Sequence, residues 1–99
     1  MAKFLSNVRF KVGDANRNAL IKAFKSFDKT KYKGALSHQV IDCRDGRFST
    51  TVVWRSRDDL VTVRPMLIRF LDSVRPLLEL ISPELGMTDP MSGEIIFEE

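Results

Sequence analysis

The dipeptide Asp45-Gly46 lies between two runs of strand-forming residues, ALSHQVIDC (35–43) and FSTTVVW (48–54). A type I′ turn needs positive φ at both central positions, and Asp-Gly meets that need at low cost, so the pattern predicts a β-hairpin. With Asp45-Gly46 as the loop, Arg44 faces Arg47 and Cys43 faces Phe48. Counting outward sets Ile41 opposite Thr50, Gln39 opposite Val52 and Ser37 opposite Trp54. The other face carries Asp42/Ser49, Val40/Thr51 and His38/Val53. In this register both faces mix apolar and polar side chains. One face can take helices, and the other needs a cover, for which a second subunit is the economical candidate.

The flanking segments extend the pattern. In residues 4–12, Val8, Phe10 and Val12 alternate with Asn7, Arg9 and Lys11, which is the period of a half-buried strand. Asp14 follows Gly13 as an expected N-cap. Ala19, Leu20, Ala23, Phe24 and Phe27 then mark one face of a helix over 15–28. A polar loop is expected at 29–34. After the hairpin, Ser56 and Asp59 make a near capping box, with Asp in place of Glu. A second helical stripe runs through Leu60, Val63, Leu67, Phe70, Leu71, Val74, Leu78 and Ile81. Pro65 is expected to break it and open the main helix, Pro76 to kink that helix, and Ser82-Pro83 to end it. Residues 84–93 read as a loop, and Ile95, Ile96 and Phe97 as a short last strand. The order β-α-β-β-α-β predicts one α+β domain over 1–99. Its form is ferredoxin-like, a four-stranded antiparallel sheet with both helices on one face.

Composition narrows the function classes. A chain of 99 residues buries about 65% of its unfolded surface, enough for a modest core that gains from oligomerisation. The single cysteine, Cys43, excludes an internal disulfide and a multi-thiolate zinc site, and a reducing, cytoplasmic setting is expected. No apolar run approaches the ~20 residues that cross a bilayer, and the N-terminal residues lack the pattern of a secretory signal. The net charge of +3 is too small to imply nucleic acid. The densest basic group, Lys22, Lys25, Lys29, Lys31 and Lys33, lies opposite the apolar stripe and reads as a solvated face. Neither a nucleic acid nor a membrane is expected as a partner.

Three features together resemble the antibiotic-biosynthesis-monooxygenase-like proteins of the dimeric α/β-barrel superfamily. They are the domain length with this element order, the junction Val52-Val53-Trp54-Arg55-Ser56 leading into Arg57-Asp58-Asp59-Leu60, and the strand Asn7-Val8-Arg9-Phe10-Lys11-Val12 followed at once by a helix. The resemblance implies a homodimer whose two sheets face each other inside a barrel, with the helices outside. It implies activities that range from cofactor-independent oxygenation of aromatic polyketides to haem breakdown. The haem-degrading branch is similar to this chain at Asn7 and Trp54 but takes its iron ligand from a histidine on the second helix. Residues 57–81 contain no histidine. No cofactor or metal is therefore expected.

The site candidates are few. His38, the only histidine, is the one side chain whose ordinary pKa lies near neutrality, so it is either a general base or a hydrogen-bonded interface residue. Asp42 lies four residues away along an extended strand, about 13 Å, which excludes a Ser-His-Asp triad. Asn7 points opposite to Val8 and Phe10, and orients a ligand carbonyl or simply sits in the strand. Trp54 forms either the wall of a pocket between sheet and second helix or part of the core. Phe24 and Phe70 are the apolar candidates beside it. Cys43 closes the hairpin and reads as inert. Arg64, Arg69 and Arg75 are scattered around the second helix. Two functions follow. One is a cofactor-independent monooxygenase or related enzyme acting on a small hydrophobic or aromatic molecule, with Asn7 and His38 as its polar contacts. The other is a non-catalytic homodimeric binding or structural module.

Overall fold

The structure, a computed structural model, describes residues 2–99. Its elements in chain order are β1 (Phe4–Val12), α1 (Asp14–Lys25), β2 (Ala35–Asp42), β3 (Arg47–Trp54), α2 (Arg57–Val74), β4 (Leu78–Glu79) and β5 (Thr88–Glu94). The sheet order is β2-β3-β1-β4, with β5 also paired to β1. All of these pairings are antiparallel. Because β3 occupies one edge of β1, β4 and β5 share the other: β5 runs along Phe4–Phe10, and β4 along Lys11–Val12. This is the expected ferredoxin-like α+β architecture, with five strands instead of four because β4 and β5 divide the edge of β1 between them.

Residues directly opposite in a ladder point the same way. Phe4, Ser6, Val8 and Phe10 of β1 therefore share a face with Trp54, Val52, Thr50 and Phe48 of β3. This is the helix side. One core cluster joins Phe10, Val12 and Phe48 to Leu20 and Phe24 of α1 and to Val74 and Leu78. The ring of Phe10 stacks on Phe24 at 5.4 Å and on Phe48 at 6.1 Å. A second cluster joins Val52 and Trp54 to Leu60 and Val63 of α2. Truncating a fully buried side chain such as Leu20 to alanine costs about 2–5 kcal/mol.

The hairpin forms where expected, one residue out of register. Asp42, not Cys43, pairs with Phe48, and Val40 pairs with Thr50, His38 with Val52 and Ser37 with Val53. Arg44, Asp45 and Gly46 all have positive φ, at 75°, 56° and 76°. Asp45 and Gly46 are the two central residues of the tight turn closed by Arg47 N–H on the Arg44 carbonyl, as Asp-Gly chemistry demands. Arg44 is an extra left-handed residue before it, and the Cys43 N–H bonds the Arg47 carbonyl. That one residue moves Ser37 and Trp54 to opposite faces. The faces of β3 are unchanged, but β2 turns over: Asp42, Val40 and His38 come to the helix side with Phe48, Thr50 and Val52, and Ile41, Gln39 and Ser37 to the free side with Ser49, Thr51 and Val53. Both faces of the hairpin remain mixed, with different β2 residues on each.

Other boundaries differ for local reasons. The N-cap of α1 is Gly13, with Asp14 the first helical residue, and the helix ends at Lys25. The expected loop contains a short 3-10 turn, Lys29–Lys31, capped by the side chain of Asp28. Pro65 lies inside an unbroken α2. It deprives the Val61 carbonyl of a donor, but Val61 and Pro65 are both exposed, on the side of the helix open to solvent. α2 stops at Val74, ahead of Pro76, and the chain tightens into a 3-10 turn, Arg75–Leu77. Leu78 is thus a strand residue. The last strand is Thr88–Glu94, within the expected loop, while Ile96 and Phe97 are exposed beyond it. Pro90 is tolerated because β5 is an edge strand.

The junction before α2 is built as read. Ser56 is the N-cap and accepts the Asp59 N–H at 3.3 Å. The Asp59 carboxylate accepts from the Ser56 hydroxyl and from two guanidinium nitrogens of Arg55, each at 2.9 Å. The bond from Arg55 is the main reason its carboxyl is held below the usual range. Gly34 passes so close that an added Cβ would lie 2.5 Å from the Asp59 Cβ, and its φ is +92°. Its carbonyl accepts the Arg55 N–H at 2.8 Å.

Candidate functional site

Between the helix side of the sheet and α2 lies a cavity of about 510 Å³. That falls within the ordinary size range of small-molecule sites. Phe24 and Phe27 line it from one end, Val52 and Thr50 from the sheet, and Leu67 and Leu71 from α2. α2 reaches it with one stripe, Leu60, Arg64, Leu67, Ile68, Phe70 and Leu71, at helical spacing. Phe24, Thr50, Val52 and Leu60 are buried, whereas Arg64, Ile68, Pro90 and Ser92 are exposed. The opening therefore lies between α2 and β5.

His38 lines the cavity. Its ring packs against Phe27 at 4.3 Å and Phe24 at 6.2 Å between centroids. Its Nε2 is hydrogen-bonded to Thr50 Oγ1 at 2.7 Å. The expected neighbours Thr51 and Val53 are replaced by Thr50 and Val52, a direct result of the one-residue shift. Burial lowers the His38 pKa below its ordinary 6.5, so the ring is neutral at pH 7. Asp42 is occupied elsewhere: it accepts from Arg17 at 3.0 Å and from the Arg44 N–H at 2.8 Å. Phe70 belongs to the same aromatic group, edge-on to Phe24 at 5.4 Å and to Phe27 at 5.3 Å. Phe24 and Phe70 both line the cavity.

Asn7 and Trp54 are placed otherwise. Asn7 pairs with Thr51 on the helix-free side, and its carboxamide N–H groups donate to Ser49 Oγ at 2.6 Å and Thr51 Oγ1 at 2.8 Å. Its side chain therefore points away from His38, and it meets the cavity through its backbone. Trp54 is 0% exposed and is not among the residues lining the cavity. It packs with Val52, Leu60 and Val63, and its indole donates to Ser6 Oγ at 2.9 Å. Ser6 itself lines the cavity, so Trp54 lies one layer behind the wall. Phe27, Thr50 and Arg64 complete the site. Phe27 was legible as part of a helical face, whereas Arg64 read only as one of three arginines scattered around the second helix, and only the correct hairpin register brings Thr50 to His38.

Among the described residues no cluster of histidine, cysteine, aspartate and glutamate could hold a metal ion. No helix there is long and apolar enough to cross a membrane. The five lysines from Lys22 to Lys33 are all exposed.

No family model and no curated protein matches the sequence. Solved structures do match its fold. A protein from Deinococcus radiodurans that carries the provisional name antibiotic biosynthesis monooxygenase is 14% identical, with a TM-score of 0.76 over 97% of this chain and 95% of that one. A cofactor-independent oxygenase from Streptomyces nogalater is 13% identical, with a TM-score of 0.69 over 99% and 97%. A protein from Mycobacterium tuberculosis is 20% identical, with a TM-score of 0.75 over 98% of each chain. The fold of this chain is thus the antibiotic-biosynthesis-monooxygenase-like fold that the sequence resemblance implied.

Proposed function

We propose that this chain binds a small aromatic or otherwise hydrophobic molecule in the cavity under α2 and acts on it as a cofactor-independent oxygenase. The observation that carries this reading is the pairing of a largely apolar 510 Å³ cavity with one titratable side chain, His38, fixed inside it by Thr50. The fold likeness to the Streptomyces nogalater oxygenase supports the reaction class. In the tautomer whose Nε2–H donates to Thr50 Oγ1, Nδ1 keeps a lone pair that can take a proton from an activated substrate C–H. The resulting carbanion is electron-rich enough to reduce O₂. For a methylene flanked by aromatic rings the balance is R₂CH₂ + O₂ → R₂C=O + H₂O. Burial keeps His38 unprotonated, which a proton acceptor requires. Asn7 acts behind the strand rather than on the substrate, because its amide is directed to Ser49 and Thr51.

The working unit in this reading is a homodimer joined through the helix-free sheet face. Leu5 and Val53 pair across that face, and Ile41 stands on it 56% exposed. A reducing, cytoplasmic setting suits the single exposed thiol of Cys43.

Anthrone, a tricyclic ketone with an activated methylene, tests the chemistry. The expected result is protein-dependent oxygen uptake with formation of anthraquinone, absent without O₂ and lowered by two orders of magnitude or more in His38→Gln, about the size of a general-base contribution. Anthrone that binds but is never oxidised would point to the non-catalytic binding module instead.

A further inference from the structure

The lining of the cavity is unbalanced in charge. It includes two arginines, Arg64 and Arg75, and no aspartate or glutamate. The two arginines are not equivalent. Arg75 is ion-paired with Asp72, its Nε lying 2.8 Å from the carboxylate. Arg64 has no carboxylate within 4.0 Å among the described residues. Eleven residues, about 16 Å of helical rise, separate the two along the axis.

Arg64 also occupies an unusual place on its helix. It falls in the stripe Leu60, Leu67, Ile68 and Leu71, one turn from the buried Leu60 and one turn from Leu67. An arginine needed only for solubility belongs on the opposite side of an amphipathic helix. Here the stem joins the cavity wall while the residue itself is exposed at the opening, beside Ile68 and across from Pro90 and Ser92 of β5. The site thus grades from an apolar, aromatic floor at Phe24, Phe27 and Phe70 to a cationic rim.

We infer that the ligand is an aromatic carboxylate, or a molecule with an equivalent anionic group, whose ring enters the cavity while its anion is held at the rim by Arg64. This rests on the reading of the cavity as a ligand site. A guanidinium presents two parallel N–H donors that match a carboxylate, and a neighbouring low-dielectric cavity strengthens that pair relative to open water. A neutral ligand of the same shape leaves the guanidinium to water.

The test uses three probes of one shape: naphthalene-2-carboxylate, 2-naphthalenemethanol and 2-naphthylmethylamine. Their affinities are measured by calorimetry at low and moderate salt on the intact protein. The carboxylate is expected to bind about tenfold or more tighter than the alcohol, and the ammonium weakest, with the preference shrinking as salt rises. Arg64→Gln should abolish the carboxylate's advantage and leave the alcohol's affinity within about twofold. Arg69→Gln, on the same helix but outside the cavity lining, should change neither. Equal binding of acid and alcohol, or an unchanged preference in Arg64→Gln, overturns the assignment while the cavity remains a ligand site. Binding of none of the probes overturns the cavity reading and this inference together. Arg64 is exposed, so the variant should fold, and an unchanged melting temperature checks that it has.

Discussion

The indole nitrogen of Trp54 donates its proton to the hydroxyl of Ser6 at 2.9 Å, across the β1–β3 ladder. Trp54 is completely buried, so its N–H has no water to turn to. Ser6→Ala removes the acceptor and leaves that donor unsatisfied, at an expected cost of about 1–3 kcal/mol. Urea unfolding followed through the fluorescence of this single tryptophan measures it. A loss below a few tenths of a kcal/mol would show that the bond contributes nothing net.

The His38 ring has a pKa lowered by burial, so the unfolded chain binds its proton more readily than the folded one. Stability therefore rises with pH in the window that begins at the lower folded value and ends near 6.5. The contribution is complete above 6.5 and is lost as pH falls through the folded pKa. In His38→Gln the slope of unfolding free energy against pH should flatten across that window. The same slope in both proteins would reject the assignment.

Gly34→Ala should destabilise by more than about 1 kcal/mol, since its φ of +92° disfavours any Cβ and the new atom meets Asp59. The clash disturbs the carboxylate that holds Ser56 and Arg55 at the start of α2. Thermal melts of the variant measure the loss, and an unchanged melting temperature would show that Asp59 gives way at no cost.

If the helix-free face joins two copies, sedimentation of the protein should give twice the protomer mass. Val53→Glu places a charge beside Leu5 on that face and should shift the population to single copies, with the circular dichroism spectrum unchanged. A wild-type protein that remains single at high concentration removes the dimer from the account.

The parts legible in the sequence were those with a strong period or a strong turn signal. β1, α1, the hairpin and the Ser56 cap all announce themselves through alternation, helical spacing or capping chemistry. The hairpin register did not, because Arg44 adopts a left-handed conformation that a non-glycine residue seldom takes. A one-residue error flips every side chain of the strand, so it gave His38 the wrong neighbours and put Asp42 and Val40 on the free face in place of Ile41 and Gln39. β5 was hidden by Pro90 and Gly93, which only an edge strand accommodates. Pro65 misled for the opposite reason: an exposed helix surface can hydrate the carbonyl that proline strands. The orientation of Asn7 away from Val8 and Phe10 did follow from alternation alone. The burial of Trp54 behind Ser6 depends on packing between the sheet and α2, which no local pattern encodes.

The rim of the cavity has one wall made by a helix and the other by β5, an outermost strand held laterally by β1 alone. Withdrawal of that strand breaks its ladder to β1, which includes the Arg9–Asp89 ion pair, and leaves both core clusters' contacts with β3 in place. The doorway can therefore swing at a small fraction of the cost of melting the whole domain. Amide exchange along 88–94 should accordingly run ahead of exchange in β3.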